Sequence, residues 1–256
     1  MLESVFANRR PRAVAIHLAA SAVLAGLASM LVFLVWYPSP FDAIAGGATL
    51  FLMLVGVDMV LGPALTAVVA NPAKPLRELR RDLVVIVLLQ FAGMVYGLYT
   101  VALARPVFLS FEVDRFRVLA AADVEPEALR GAPPALRSLP WTGPRFIAAV
   151  KPSKPDELMR SVELGLAGFD LSMIPANWRE YGSQTDAVWR ASKPVPALLA
   201  RYPQATAAMA AVATRAGQPA NALRYLPLMS RHLSWVALIA APDSRVVGYL
   251  PLDGFF

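Results

Sequence analysis

The sequence predicts a membrane protein in which three transmembrane α-helices are followed by an extracytoplasmic α+β domain with an antiparallel sheet. Of the 256 residues, 57% are hydrophobic and only 16% are charged, whereas soluble domains average about 25% charged residues. The apolar excess lies before residue 105, in three runs long enough to cross a bilayer. We therefore divide the chain into a transmembrane region, 1–104, and a second domain, 105–256.

Each predicted span is bounded by a recognisable signal. The first ends in Trp36-Tyr37, and aromatic residues at that point suit the headgroup region of a bilayer. A cleavable signal peptide is the alternative for this run, but the apolar part of a signal peptide is only about 7–15 residues long. The second span ends at the turn sequence Asn71-Pro72. The spans cover approximately 13–36, 48–70 and 83–104.

Positive charge alternates across the connectors, and this alternation predicts the orientation. Basic residues precede the first and third spans and are absent from 37–47. Because Lys and Arg concentrate in cytoplasmic loops, the N-terminus and the 71–82 loop are predicted to be cytoplasmic. Residues after 105 then lie on the far side, which is the periplasm if the membrane is the inner membrane of a Gram-negative cell. The residues that determine this topology are Arg9, Arg10, Arg12, Lys74, Arg77, Arg80 and Arg81.

Residues 105–256 carry the patterns of a mixed α+β domain. Alternation of apolar and polar residues predicts strands, and two of them flank a turn sequence that is typical of a hairpin. In the first predicted helix, Leu158, Val162 and Leu166 recur about one turn apart, which indicates an amphipathic helix. Strands are predicted over 107–118, 145–150, 234–240 and 245–250. Helices are predicted over 156–166, within 184–202 and over 204–216.

Composition and motif content exclude several classes of function. The chain has no cysteine, so it has no disulfide, thiolate nucleophile or thiolate metal site. His17 and His232 fall in different predicted compartments and cannot share a metal site, and no common catalytic or nucleotide-binding motif occurs. The net charge of +6 is dispersed, which favours contact with anionic lipid over nucleic acid. We predict no enzyme activity, no cofactor and no nucleic-acid partner.

The most specific polar feature is Asp58, in the run Gly56-Val-Asp-Met-Val-Leu-Gly-Pro63 of the second span. A carboxylate at mid-span costs at least about 2.5 kcal/mol on insertion scales, so it is expected to face protein or water. Two interpretations stay open. Asp58 fixes the packing of the helix bundle through a hydrogen bond to the third span, or it contacts a polar group of a client helix or a transported ion. Its candidate neighbours, polar or small, are Gly56, Gln90, Gly93, Tyr96 and Gly97.

Several stretches resemble the type IV pilin accessory proteins of the TfpX/TfpZ type. The resemblance is dense over residues 10–120 and loosens afterwards, where 235–250 is the most similar stretch. The motifs that carry it are Trp36-Tyr-Pro38, Gly56–Pro63, Asn71-Pro-Ala-Lys74, Arg80-Arg-Asp-Leu83, Leu89-Gln90, Tyr96-Gly-Leu-Tyr99, Arg105-Pro-Val-Phe108 and Phe111-Glu-Val-Asp-Arg-Phe-Arg117.

The resemblance implies a multi-pass inner-membrane protein that acts in the assembly of a particular type IV major pilin, as a chaperone or assembly modulator. Before assembly a pilin is a membrane helix with a periplasmic head, and the helix begins with a positive amino terminus. The lipid bilayer and other pilus assembly proteins are further expected partners. On this basis Asp58 is expected to bind a polar group of the pilin helix, supported by Gln90 and Tyr96, in a groove opened by Gly56, Gly93 and Gly97.

Two other classes of function are weighed against this one. A membrane-anchored sensor shares the outline of spans plus an extracytoplasmic domain, but the predicted cytoplasmic parts are too short for an output domain. A small transporter subunit depends on Asp58 alone, and three spans rarely enclose a path without oligomerisation. Within the second domain, Trp141, Trp178 and Trp189 are candidates for client contact, with burial in the core as the alternative.

Overall fold

The structure, a computed structural model, describes residues 9–70, 74–230 and 234–256. Within these residues three helices are long and apolar enough to cross a membrane. α1 covers Arg9–Met30 and continues as a π-helical stretch, Leu31–Trp36; α3 covers Gly47–Val69; α4 covers Leu76–Ala104; and a short α2, Phe41–Ile44, lies between α1 and α3. The predicted membrane helices are confirmed, and α3 packs against both α1 and α4.

The third membrane helix begins at Leu76 rather than near residue 83, so the prediction of a loop reaching residue 82 is wrong. Lys and Arg are good helix formers, and the basic residues here extend the helix beyond its apolar part. Lys74 Nζ lies 2.8 Å from Asp82 Oδ2, which ties the preceding segment to this extension. Residues 71–73 and His232 lie outside the described residues, as do the side chains of Arg9 and Arg10.

The end of α1 is locked against α3 and α4. Tyr37 N–H donates to Val32 O over 2.7 Å, five residues back, which is the wider turn of a π-helix. Tyr37 is fully buried, and its hydroxyl donates to Val101 O at 2.9 Å. A Cβ on Gly47 would collide with the Tyr37 ring. The Trp-Tyr pair at this exit therefore packs inside the protein, where Tyr37 joins α1, α3 and α4.

The second domain is built on one curled sheet. Eight strands of the described residues pair in the order β4-β3-β1-β2-β6-β7-β8, with β5 paired to β6. Most pairs are antiparallel, while β1 with β3 and β2 with β6 are parallel. The strands are β1 Pro106–Glu112, β2 Arg115–Ala120, β3 Arg145–Ala149, β4 Trp178–Glu180, β5 Lys193–Pro194, β6 Arg224–Met229, β7 Ser234–Ala240 and β8 Arg245–Leu250.

Helices pack on this sheet and complete a mixed domain, which confirms the predicted α+β class. The α-helices are α5 Pro155–Leu166, α6 Thr185–Ala191, α7 Val195–Arg201 and α8 Thr206–Ala216, which ends at Gly217 with a left-handed φ of 68°. The 3-10 turns are Ala121–Asp123, Glu127–Gly131, Pro134–Leu136, Leu171–Met173, Pro175–Asn177, Tyr181–Gln184, Pro203–Ala205 and Ala220–Ala222.

One strand prediction is wrong, and the strands β4, β5 and β6 were not predicted. Residues 107–118 were expected to form one strand, but the chain turns at Val113, whose φ is 51°, and forms the β1–β2 hairpin. The inner strand β6 was not predicted at all. It contains Pro227, and a proline within a run argues against a central strand. In this sheet β6 meets β2 only beyond that proline, at Leu228 and Met229.

The connector between α1 and α3 enters the core of the sheet domain. Phe41 and Ile44 of α2 are buried among strand residues such as Leu226 and Ile239. The Phe41 ring lies 5.5 Å from the Tyr249 ring, edge to face. The membrane helices and the sheet domain therefore share one hydrophobic cluster, which holds the domain against the helix ends.

Candidate functional site

A groove runs between α1 and α4 with α3 as its floor. Its volume is about 650 Å³, within the range of about 300–1,000 Å³ that is usual for ligand sites. Most of the lining side chains are apolar. The polar ones are His17, Ser21, Asp58 and Gln90. The lining residues are Ala13, Ile16, His17, Ala20, Ser21, Leu24, Leu27, Ala28 and Leu31 of α1, Asp58 of α3, and Leu83, Val87, Gln90, Phe91, Met94, Val95 and Leu98 of α4.

The groove is long enough to receive a transmembrane helix. Its wall on α1 extends from Ala13 to Leu31, and its wall on α4 extends from Leu83 to Leu98. At 1.5 Å per residue these walls are about 27 and 22 Å long. The hydrocarbon core of a bilayer is about 30 Å thick, so the groove covers most of that thickness.

The floor is formed by one face of α3. Asp58, Gly62 and Thr66 follow one another at intervals of four residues, which places them one turn apart on the same side of the helix. Thr66 is buried, and its hydroxyl lies 2.6 Å from His17 Nδ1 of α1. Among the described residues of this face only Asp58 lines the groove, and Gly62 and Thr66 continue the face for about 12 Å towards the basic end of the bundle, beneath Gln90 and His17.

At Gly62, side chains of both α1 and α4 contact α3. A Cβ at this position would collide with the Gln90 amide and would lie 2.8 Å from His17 Nε2. The Gln90 amide donates to the backbone carbonyl of Asp58 at 3.3 Å. These contacts hold the floor in place by bonds to its backbone and to Thr66, and they leave the Asp58 side chain out of the network.

The Asp58 side chain is half-buried on the floor of the groove. Within the described part of the chain, no hydrogen-bond donor or cation is paired with it. The expected hydrogen bond from Gln90 goes to the Asp58 main chain instead. An unpaired carboxylate in an apolar groove can accept a hydrogen bond or neutralise a cation brought by an occupant.

The other predicted neighbours of Asp58 lie away from the groove floor. Tyr96 is 70% exposed on the outside of α4. A Cβ on Gly56 or on Gly93 would meet no atom within 4 Å, so these glycines do not open the groove. Gly97 does permit a close approach, because a Cβ there would collide with Leu54 of α3.

His17 and Ser21 line the groove, although neither was predicted as a site residue. The hydrogen bond to Thr66 shows that His17 also joins α1 to α3. The two residues are four apart and face the same side of α1. That spacing of polar side chains in an apolar span was the signal that could have added them to the site.

In the described residues, no group of three His, Asp or Glu side chains could hold a metal ion. At the junction with the sheet domain, the Arg105 guanidinium lies 4.9 Å from the Trp141 ring, and burial lowers the pKa of Arg105. Trp178 is fully buried and donates to Ser172 O, so it is a core residue, whereas Trp141 is 67% exposed.

Comparison with known proteins identifies the family. The family model of the fimbrial assembly protein FimB matches residues 6–46. Fimbrial assembly proteins of Dichelobacter nodosus serogroups I and E1 are 37% and 36% identical to this chain over 180 residues, which is 70% of this chain and 70% of each relative. The fimbrial assembly protein of serogroups C1 and C2 is 40% identical over 109 residues, 43% of this chain and 83% of that relative.

No solved structure matches the chain. The sequence matches fit the resemblance to type IV pilin accessory proteins that the motifs indicated. They cover most of the length of two relatives at well over 30% identity. The chain belongs to the FimB family of fimbrial assembly proteins.

Proposed function

We propose that the protein is a non-enzymatic accessory factor that holds the membrane helix of a specific type IV pilus subunit in the α1–α4 groove before assembly. The observation that carries this proposal is the unpaired Asp58 carboxylate on the floor of a long apolar groove. Family membership supports a role in pilus assembly. The bound helix would present a cation or a hydrogen-bond donor at the level of Asp58.

The shape and polarity of the groove support a helix as its occupant. Lipid tails would cover the apolar walls equally well, but they would leave the carboxylate without a partner in hydrocarbon, which is unfavourable. A helix with one polar group satisfies both requirements. Gln90 bonds to the main chain of Asp58 and His17 bonds to Thr66 on the same helix, so the backbone that carries the carboxylate is held before the partner arrives.

The charges at the helix ends support an orientation with the basic end of the bundle in the cytoplasm. Arg12, Arg77 and Arg80 lie at the beginnings of α1 and α4, at the end of the bundle opposite the sheet domain. By the positive-inside rule this end is cytoplasmic and the sheet domain is periplasmic, in the inner membrane. Because the chain has no cysteine, single Glu78→Cys and Ala128→Cys variants each give one label site. A membrane-impermeant maleimide should label position 128 and not position 78 when the outer membrane is permeabilised, and the reverse pattern contradicts the orientation.

Asp58→Asn and Asp58→Leu test the proposed function directly. The bound pilus subunit should fall by about tenfold with Asp58→Leu and less with Asp58→Asn, since the amide keeps one hydrogen-bond acceptor. The readouts are co-purification of the subunit and the amount of surface pili, normalised to the accumulated factor. Tyr96→Leu, on the outside of α4, is the matched control and should behave as wild type.

A second variant tests the apolar wall of the groove independently of the Asp58 carboxylate. Leu24→Trp fills the apolar wall of the groove and leaves the floor untouched. It should also reduce subunit binding while the protein accumulates normally. The proposed function is wrong if Asp58→Leu and Leu24→Trp both leave co-purification and piliation unchanged.

A further inference from the structure

An exposed tryptophan, Trp141, lies where the membrane helices meet the sheet domain. It belongs to the loop 139–144, which precedes β3. The aromatic pair expected at the headgroup level, Trp36-Tyr37, is buried inside the protein, whereas Trp141 is exposed. Tryptophan is enriched at membrane–water interfaces, because its ring is apolar and its indole N–H is polar. Its position relative to the ends of the membrane helices therefore decides what its ring meets.

The loop that carries Trp141 is fixed to the end of α1. Gly143 N–H donates to Val35 O at 2.9 Å, in the π-helical stretch that ends this span. A Cβ on Gly143 would collide with the Pro38 ring, and the φ of Gly143 is 45°, so this close approach favours glycine. On the other side of Trp141, Leu139 packs against a core cluster of the sheet domain. Trp141 is therefore held between two attached points.

Helix surface that can face lipid continues up to this loop. Leu34, one residue before the carbonyl that binds the loop, is exposed, and so is Leu103 near the end of α4. Both residues belong to helices that are long and apolar enough to cross a membrane. Trp141 thus lies where the apolar surface of these helices ends, which is the depth of the lipid headgroups in a bilayer.

A buried cation lies beneath the Trp141 ring. The Arg105 guanidinium is 4.9 Å from the centre of that ring, and Arg105 is only 9% exposed. It donates to Ala102 O, but its Nε has no hydrogen-bond partner and no carboxylate pairs with it in the described parts of the chain. A buried charge without a counter-ion is costly. An anion that reached the edge of the guanidinium would reduce this cost, and lipid phosphates are anions at this depth.

Two further cations flank the loop. Arg137 and Arg145 lie four residues before and after Trp141, both are exposed, and within the described residues their guanidinium groups bond only to backbone carbonyls. The sequence contains no acidic residue between Glu127 and Asp156. β3 begins at Arg145 and pairs in parallel with β1, so its start lies at the membrane end of the sheet. Arginine forms strong, charge-assisted hydrogen bonds with phosphate.

We propose that the loop 139–144 anchors the sheet domain to the membrane surface. Trp141 enters the headgroup region of the adjacent leaflet, and Arg105, Arg137 and Arg145 contact the phosphates of phospholipids there. The inference depends on the membrane helices and not on the pilus subunit, and it applies to either orientation of the chain. The partner of this surface is lipid and not protein.

Depth-dependent fluorescence quenching tests this inference on the full-length protein alone, in vesicles of phosphatidylcholine and phosphatidylglycerol in equal parts. Because the chain has no cysteine, single Thr142→Cys and Asp114→Cys variants each give one site for a nitrobenzoxadiazole dye. Position 142 adjoins Trp141, and position 114 follows the far end of β1, about 23 Å along that strand. One set of vesicles carries a nitroxide on the headgroup, and another carries it midway along the acyl chain. Headgroup quenching should be at least about twice as strong at 142 as at 114, and at 142 it should exceed acyl-chain quenching.

Two changes to the protein labelled at position 142 test the residues themselves. Trp141→Ala should reduce headgroup quenching by about half, because the loop loses its interfacial ring, whereas Leu166→Ala, exposed on α5, should leave it unchanged. The double variant Arg137→Glu, Arg145→Glu should also reduce it, because the loop then repels phosphate. The matched control reverses Arg190 and Arg215, which are exposed elsewhere on the sheet domain, and should have no effect.

Three results would overturn the inference. They are equal headgroup quenching at 142 and 114, stronger quenching at 142 by the acyl-chain nitroxide, and quenching that does not respond to Trp141→Ala or to the charge reversal at 137 and 145. A dye at 142 that responds only when the pilus subunit is added would assign Trp141 to a protein partner and would equally overturn it. None of these variants alters the groove, so the inference can fail while the proposed function stands.

Discussion

His17 Nδ1 lies 2.6 Å from Thr66 Oγ1, so the first and second membrane helices share a hydrogen bond at the groove wall that His17 lines. This bond contributes to the rotation of α1 about its axis, together with the apolar packing between the helices. Ser21 and Leu24 lie on the same wall of the groove as His17. A polar contact between apolar helices therefore lies directly beside the candidate binding site.

Thr66→Val removes this bond with little change of side-chain volume. Interhelical hydrogen bonds in membranes contribute about 0.6–2 kcal/mol, so the unfolding free energy in detergent should fall by about 1 kcal/mol. Thr100→Val is the control, because the Thr100 hydroxyl bonds only to carbonyls of its own helix. Equal losses in the two variants would show that the His17–Thr66 bond has no special role.

Gly62→Ala should destabilise the bundle. The added methyl group would collide with the Gln90 amide and displace it from the Asp58 carbonyl, and overpacking typically costs about 1–3 kcal/mol. Gly56→Ala, where a Cβ meets no atom within 4 Å, should be neutral or stabilising by up to about 1 kcal/mol because Ala favours helix. Thermal unfolding of the two variants in detergent measures the difference, and destabilisation by Gly56→Ala would contradict it.

Phe41→Ala should weaken the attachment of the sheet domain to the membrane helices. It removes a buried ring from the cluster around Tyr249, and loss of a buried aromatic ring costs about 3–5 kcal/mol. Limited proteolysis and thermal unfolding should both show a less stable domain. Leu34→Ala, at a 70% exposed position of the preceding π-helical stretch, should leave both measurements near wild type. An unchanged proteolysis pattern in Phe41→Ala would mean that the connector does not hold the domain.

Alkaline pH should destabilise the sheet domain through its buried tyrosines. Burial raises the pKa of Tyr249, and burial together with Asp243 raises the pKa of Tyr181. An unfolded tyrosine titrates near pH 10, so the folded form keeps its protons longer and this contribution to stability is complete below about pH 10. It is lost as the pH rises above that value. Denaturant midpoints at pH 8 and pH 11 measure the loss, which Tyr249→Phe should reduce. An equal loss in that variant would contradict the assignment.

The membrane helices and the final hairpin could be predicted because their signals are local. Run length alone located the spans, and the turn sequence between β7 and β8 located the hairpin. The strand β6 could not be predicted, because Pro227 removes a donor and only the tertiary pairing with β7 reveals the strand. The burial of α2 was equally hidden. Its few apolar residues do not indicate which surface they contact.

Only part of the candidate site could be predicted, and the reason is geometric. Asp58 stood out as a carboxylate in an apolar run, but its neighbours depend on how each helix is rotated. Gln90 and Tyr96 are six residues apart, which places them about 120° apart around α4. Both side chains therefore cannot face Asp58, and the structure turns Gln90 towards α3 and Tyr96 outward. The spacing shows that Gln90 and Tyr96 cannot both face Asp58. Only the packed structure shows which of the two does.

The insertion of α2 into the sheet core has a consequence for partner choice. Because Phe41 and Ile44 anchor the domain to the bundle, the distance from Asp58 to the far end of the sheet is set by the protein and does not adapt to each partner. A partner that contacted both the groove and the sheet domain would need the same separation between its two contact surfaces. A partner whose separation differs by a few helical turns would engage only one of them.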